Sequence, residues 1–70
     1  MNITSKISDQ QKYPKGTELM DQNGICYHIM ENDGNYVKFY VRVTDTVFLA
    51  PTENFTENIF KNSMILKCQN

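Results

Sequence analysis

The stretch that decides the fold is ENDGNYVKFYVRV, residues 31–43, in which a turn is followed by strict alternation. Side chains of a β-strand point to opposite faces of the sheet in turn. One face is therefore wholly apolar: Val37, Phe39, Val41 and Val43. The other face is aromatic and basic: Tyr36, Lys38, Tyr40 and Arg42. The alternation predicts a strand with a buried inner face and a candidate binding surface on its outer face.

The flanking residues predict further strands in an antiparallel meander. The predicted strands span residues 17–20, 25–30, 36–43, 47–50 and 64–68. Each of the first two turns contains a glycine preceded by Asn or Asp, at Gly24 and Gly34. This pattern is typical of three-residue hairpin loops that are closed by a bulge. A two-residue loop at Asp33 and Gly34 is the alternative for the second turn.

The choice of loop decides which side chains are buried, because a one-residue slip exchanges the two faces of a strand. A two-residue loop buries one set: Cys26, His28 and Met30. A three-residue loop buries the other: Ile25, Tyr27 and Ile29. The second choice buries more apolar area and keeps the single histidine out of the core. We therefore predict three-residue loops, with Ile29 paired to Val37 and Leu19 beside Tyr27.

The order of elements predicts the fold class. After the fourth strand, Thr52 is a candidate N-cap for a short helical segment that extends to about residue 60, on which Phe55 and Ile59 would dock. Four strands, a helical turn and a closing strand resemble the layout of a small SH3-like barrel. We predict a mainly β, five-stranded antiparallel SH3-like barrel, with an open antiparallel sheet packed by a short helix as the alternative. The chain has no Trp and lacks the ligand-binding motif of SH3 domains, so no ligand chemistry follows from this layout.

Chain length limits the domain organisation. We predict a flexible, mildly basic N-terminal arm over residues 1–15 and a single small β domain over residues 16–70. A domain of this size buries only about 60 % of its unfolded surface, which leaves little room for a deep pocket. A non-enzymatic role is therefore favoured. A thiol enzyme that uses Cys26 and His28, oriented by Glu18, is disfavoured because an open strand surface provides no cleft.

The charge balance bears on the partner. Seven Lys and Arg against eight Asp and Glu residues give a net charge of -1. Nucleic-acid-binding domains usually carry a basic excess, because phosphate neutralisation supplies most of their affinity. Another protein is therefore the expected partner. Nucleic acid is the alternative, bound by the same strand face with help from Lys6, Lys12 and Lys15.

The pattern of the first residues and the cysteine content indicate the cellular compartment. The first sixteen residues lack the apolar core of a signal peptide, and no stretch approaches the length of a membrane span. We expect a cytoplasmic protein without membrane contact, in a cell or an infected host cell. Cys26 and Cys68 are too few and too far apart for a disulfide scaffold or a zinc site. No metal or cofactor is expected.

The predicted partner-binding residues all lie on the outer face: Tyr36, Lys38, Tyr40, Arg42, Met30 and His28. Tyr and Arg are enriched at binding hot spots, and Met is common on adaptable surfaces. The competing interpretation is an ordinary solvated face, since Tyr is simply a good strand former. The uncharged strand made by Val47, Phe48, Leu49 and Ala50 is a candidate homodimer edge. We predict a protein-binding regulator, inhibitor or accessory protein, and the Asn- and Ile-rich composition is typical of AT-rich genomes such as those of phages.

Overall fold

The computed structural model describes residues 12–67, so most of the predicted N-terminal arm, together with Cys68, lies outside the described residues. The elements are β1 (Glu18–Asp21), β2 (Cys26–Asn32), β3 (Tyr36–Val41), β4 (Thr46–Pro51), α1 (Thr52–Asn58), a 3-10 turn (Phe60–Asn62) and β5 (Ser63–Lys67). All pairings are antiparallel, and the strands form one sheet. The mainly β prediction is confirmed.

The sheet is open. Its strand order is β4-β3-β2-β1-β5, which leaves β4 and β5 as the two edges. Within residues 12–67 these edges do not pair, so the predicted closure of an SH3-like barrel is not found and the alternative, an open sheet with a short helix, is observed. The connection between the edges explains this arrangement. It runs through α1 and the 3-10 turn, whose aromatic side chains pack on the inner face of the sheet.

The first hairpin has the predicted register. Leu19 pairs with Tyr27, and the residues between Asp21 and Ile25 form a three-residue loop. The Asp21 carboxylate holds this loop, because its Oδ1 accepts the backbone N–H groups of Asn23 and Ile25, both at 2.9 Å. Gly24 has a φ of +85°, the left-handed conformation that glycine adopts without strain. Local turn chemistry therefore determines this hairpin.

The second hairpin has a different register from the predicted one. Ile29 pairs with Phe39 instead of Val37, a shift of two residues. The turn begins at Asp33, whose Oδ1 accepts the backbone N–H groups of Asn35 and Tyr36, both at 2.8 Å. The closed loop is therefore Gly34 and Asn35, and it ends one residue later than either predicted loop.

A bulge compensates for this shift. The β2–β3 register changes between Ile29 and Glu31, so Met30 is an extra residue on β2. Up to Ile29, the observed pairing is displaced by two residues from the predicted pairing. A displacement of two residues leaves every side chain on its predicted face, because side chains alternate with a period of two. Ile29 is fully buried, whereas His28 is half-exposed on the outer face. The face assignment was right although the pairing was wrong.

The core combines aliphatic and aromatic side chains. Its fully or nearly buried apolar residues are Tyr13, Leu19, Ile29, Val37, Phe39, Val41 and Phe55. Phe39 lies at its centre, with its ring 4.9 Å from that of Phe55. The ring of Tyr13 lies 5.1 Å from Phe55 and 4.6 Å from Phe60. Tyr13 belongs to the segment that was predicted as a flexible arm, and this core contribution was missed.

Two element boundaries also differ from the prediction. Thr52 is the first residue of α1 and not its N-cap, which is Pro51, and no side-chain cap is formed. The N–H of Thr52 donates to the carbonyl of Asn35 at 2.9 Å, so the β4 hydrogen bonds continue into the helix. β3 ends at Val41, and Val43 therefore lies in the next turn and is 70 % exposed. The predicted docking of Phe55 is confirmed, and Ile59 packs against the core.

Candidate binding surface

The outer face of the sheet is the face opposite the aromatic core. Neither α1 nor the 3-10 turn packs on it, because both lie against the inner face. All of the predicted site residues are found here or at its margin: Tyr36, Lys38 and Tyr40 on β3, His28 and Met30 on β2, and Arg42 directly after β3. Five of them line two adjoining depressions that share His28, whereas Tyr36 stands apart at the turn end beside Pro51.

A row of side chains crosses the centre of this face. The β1–β2 register sets Glu18 opposite His28, and the β2–β3 register sets Tyr40 opposite His28. Glu18 is therefore the cross-strand neighbour of His28 that the sequence predicted, and His28 Nδ1 lies 3.3 Å from Glu18 Oε2, within hydrogen-bond distance. Both side chains are nearly half exposed. A side-chain pair this accessible is available to a partner and contributes little to stability.

The larger depression lies around this row. It is an open groove of about 390 Å³ lined by Glu18, Cys26, Tyr27, His28, Tyr40, Arg42 and Leu66. Its wall therefore offers a carboxylate, an imidazole, a guanidinium, a free thiol and an apolar side chain from β5. Leu66 was not predicted as a site residue. It lies where the β1–β5 register shifts, and that irregularity cannot be read from the local pattern.

Tyr40 is held in place by the turn that follows β3. Its hydroxyl donates a hydrogen bond of 2.5 Å to Oδ1 of Asp45. This hydrogen bond is the main reason that the pKa of the Tyr40 phenol lies above its ordinary value. Asp45 lies in the turn after β3 and adopts a φ of 52°, in the left-handed region. A ring that is oriented before binding loses less conformational freedom when a partner docks.

The smaller depression is a product of the bulge in β2. It is lined by Lys15, Gly16, His28, Met30, Glu31 and Lys38, and it has a volume of about 300 Å³. Glu31 pairs with Lys38, and the extra residue Met30 stands next to them. The bulge thus brings an adaptable apolar side chain and both signs of charge to one place. Met30 and Lys38 were predicted as site residues, whereas the contribution of Glu31 was missed.

Strand β4 adds apolar side chains that sequence reasoning did not place. Val47 pairs with Tyr40, and Leu49 pairs with Lys38. Because paired residues share a face, Val47 and Leu49 lie on the outer face, where they are 47 % and 69 % exposed. The sequence left the register of this strand undetermined, since its preceding turn has no glycine. The run at residues 47–50 is apolar throughout, so it carries no alternation that would assign its side chains to a face.

Among residues 12–67, no group of three or more His, Cys, Asp or Glu side chains is arranged to hold a metal ion. No helix in this part of the chain is long and apolar enough to cross a membrane.

Comparison with known protein families, with curated proteins and with solved structures finds no match. Any function must therefore be inferred from the residues of the chain itself.

Proposed function

We propose that this chain is a non-enzymatic module that binds another protein on the outer face of its sheet and acts as a regulator, inhibitor or accessory protein. One observation carries the proposal. The β3–β4 register sets the exposed side chains of Val47 and Leu49 beside Tyr40 and Lys38, on a face that α1 leaves uncovered. A contiguous exposed apolar patch rimmed by polar groups is typical of protein interaction sites.

The composition of the patch matches the anatomy of a protein interface. Interface centres are enriched in aromatic residues, Met and Arg, and their rims are polar. Here Tyr40, Val47 and Leu49 are the central groups, with Met30 beside them. Glu18, Arg42 and other charged side chains surround them. Tyr40 and Arg42 are the expected anchors, because Tyr and Arg dominate binding energy at such sites.

The charges of the rim indicate the partner. The two depressions are lined by three cationic and two acidic side chains: Lys15, Lys38, Arg42, Glu18 and Glu31. A phosphate backbone along this face would approach carboxylates as closely as cations, so a polyanion gains little here. A protein surface with an apolar centre and charges of both signs fits better. We place this binding in the cytoplasm, and the composition favours a phage origin.

The test is affinity capture from host lysate with the wild type and a triple variant, Tyr36→Ala/Tyr40→Ala/Arg42→Ala. A matched control, Glu53→Ala/Glu57→Ala/Lys61→Ala, changes three exposed residues of the helical region instead. We expect the wild type and the control to retain the same protein and the outer-face variant to lose it by at least about tenfold, or 1.4 kcal/mol. All three proteins must first show the same circular dichroism spectrum.

Two results would overturn the proposal. The first is equal recovery of the partner by the outer-face variant, which would make this surface an ordinary solvated face. The second is recovery that disappears after nuclease treatment. In that case the affinity should also fall linearly with salt on a logarithmic scale, and the alternative, a nucleic-acid-binding surface, would be correct.

A further inference from the structure

Strand β4 is an unprotected sheet edge. It pairs with β3 along all of Thr46–Pro51 without a register shift, and its other side faces no strand in the described part of the chain. Val47, Phe48 and Leu49 are 47 %, 45 % and 69 % exposed. Proteins usually block such an edge with charges, bulges or a covering segment. The segment TVFLAP contains no charged residue.

The hydrogen-bond pattern shows which backbone groups point outward. In antiparallel sheets, hydrogen-bonded and non-hydrogen-bonded residue pairs alternate. Thr52 N–H donates to the carbonyl of Asn35, so this pair is hydrogen-bonded, and so is every second pair along β3 and β4. The positions between them, Val47, Leu49 and Pro51, direct their backbone groups to the free edge.

Two independent observations agree with this assignment. Arg42 N–H donates to the carbonyl of Cys26, so even-numbered residues of β3 bond to β2 and odd-numbered ones bond to β4. Pro51, which has no N–H, occupies an outward position, where it removes no bond to β3. Val47 and Leu49 therefore each offer one donor and one acceptor to a new strand.

We propose that two copies of this chain pair through their β4 edges, antiparallel about a two-fold axis at Phe48. In this register Val47 of each copy lies opposite Leu49 of the other, and about four N–H···O=C bonds form across the axis. A shift of two residues in one direction sets Val47 opposite Pro51, which lacks a donor. The opposite shift sets Leu49 opposite Asp45, which lies in the turn with a φ of 52°. The central register pairs every outward N–H and C=O group of Val47 and Leu49, whereas either shift leaves at least one of these groups without a partner.

The side chains suit a symmetric pair. Each ring of Phe48 stacks on Phe39 at 5.7 Å and leaves its outer part exposed, where the Phe48 ring of the second copy would meet it. Val47 and Leu49 of both copies would form one apolar patch on the outer face. A two-fold axis brings each central residue close to the same residue of the second copy. A charge near the axis would therefore repel the identical charge of the other copy, and β4 has no charged residue.

The other edge suits such a pair less well. β5 also exposes apolar side chains, but its pairing with β1 is irregular, with a shift between Glu18 and Leu19. Pairing of β4 with β5 of another copy would be heterologous and would continue into a fibre, whereas β4 with β4 closes after two copies. Only one six-residue strand of each copy takes part, so we expect a contact below the roughly 800 Å² per partner of a standard interface and weak, micromolar association.

The experiment is sedimentation velocity of the full chain between about 5 and 500 µM, which brackets a micromolar dissociation constant. Leu49→Lys places like charges near the two-fold axis, and Leu66→Lys makes the same change at the exposed β5 edge as a matched control. We expect concentration-dependent dimers for the wild type and Leu66→Lys, and at least about tenfold weaker association for Leu49→Lys. The triple variant of the outer face should still form dimers, which separates this proposal from the proposed function.

Amide hydrogen exchange provides a test that needs no variant. The N–H groups of Val47 and Leu49 should gain protection in the wild type as its concentration rises. A wild type that stays monomeric at 500 µM overturns the proposal, even if these amides are protected by another segment of the same chain. A dimer that Leu66→Lys dissociates but Leu49→Lys does not would overturn it in favour of the β5 edge. Fibres that either variant prevents would indicate heterologous pairing and also contradict it.

Discussion

The two faces of the sheet differ in burial, although consecutive residues of the same strand, β3, contribute to both. Phe39 is 5 % exposed and contacts the rings of Tyr27, Phe48 and Phe55, whereas its neighbour Tyr40 lies on a face that α1 does not cover. Alternation allows consecutive residues of β3 to serve stability and recognition independently. Substitutions on the two faces should therefore have separable effects, on folding for one face and on binding for the other.

The sharpest test of this separation compares Phe39→Ala with Tyr40→Ala. Phe39→Ala opens a cavity at the centre of the core and should lower the free energy of unfolding by about 3–5 kcal/mol. Tyr40→Ala should lower it by about 1 kcal/mol or less, because the residue is on the solvent side. Urea unfolding followed by circular dichroism measures both. If Phe39→Ala does not fold, Phe39→Leu replaces it, and equal losses at the two positions would contradict the comparison.

The next test concerns the contribution of Tyr13 to the inner face. Tyr13→Ala should cost about 3 kcal/mol, because the ring is fully buried between Phe55 and Phe60. Tyr13→Phe keeps the ring and loses the hydrogen bond to the Thr56 hydroxyl, so about 1 kcal/mol is expected. Thermal unfolding measures both variants. A chain that begins at Gly16 and is as stable as the full chain would instead support the predicted domain boundary.

A smaller effect is expected where the first turn sets the register of β1 and β2. An L-residue at the φ of +85° of Gly24 is strained by about 1–2 kcal/mol, although a Cβ there would meet no atom within 4 Å. Gly24→Ala should destabilise the fold by that amount, and Gly24→Asn by less, since Asn tolerates this conformation. Urea unfolding of the two variants is the measurement. Equal stability of Gly24→Ala and the wild type would show that another feature sets the register.

The carboxylates of the two turns should make the stability of the fold depend on pH in the acid range. The backbone N–H of Ile25, with help from the Tyr27 hydroxyl, holds the pKa of Asp21 below its ordinary value, and the N–H groups of Tyr36 and Asn35 do so for Asp33. A carboxyl group whose pKa is lower in the folded than in the unfolded state stabilises the fold at pH values above its unfolded pKa of about 3.9. This stabilisation is lost as the pH falls through the folded-state pKa. Asp21→Asn should therefore show a smaller decrease in urea midpoint between about pH 5 and pH 2. An identical decrease would exclude this contribution.

The smallest effect concerns the outer face alone. Asp45→Asn removes the carboxylate that accepts the Tyr40 hydroxyl, so the pKa of Tyr40 should fall toward its ordinary value near 10. Stability should hardly change, since the pair is exposed. NMR titration of the Tyr40 ring carbons measures the pKa, with Tyr27 as the internal control, because burial and Asp21 raise its pKa independently. An unchanged Tyr40 pKa would show that Asp45 does not position the ring.

Turn chemistry explains why one hairpin was predicted correctly and the other was not. In the first turn, the Asp21 carboxylate and Gly24 fit only one loop length. The second turn offers both Asn32 and Asp33 as side-chain acceptors, and each of them accepts a backbone N–H. Two adjacent acceptors make the start of the turn ambiguous, and contacts elsewhere select between them. Asn32 is one such contact, because its Nδ2 donates to the carbonyl of Tyr13, nineteen positions away.

The sequence by itself determined that five strands form, and it determined the inner and outer faces of β1, β2 and β3. These features follow from the two-residue period, which depends only on near neighbours. The tertiary structure alone decided that the sheet stays open, that Met30 forms a bulge, that Tyr13 completes the core and that Val47 and Leu49 extend the binding face. Each of these depends on contacts between residues far apart in the chain, whose energies are fixed only when the strands and α1 pack together.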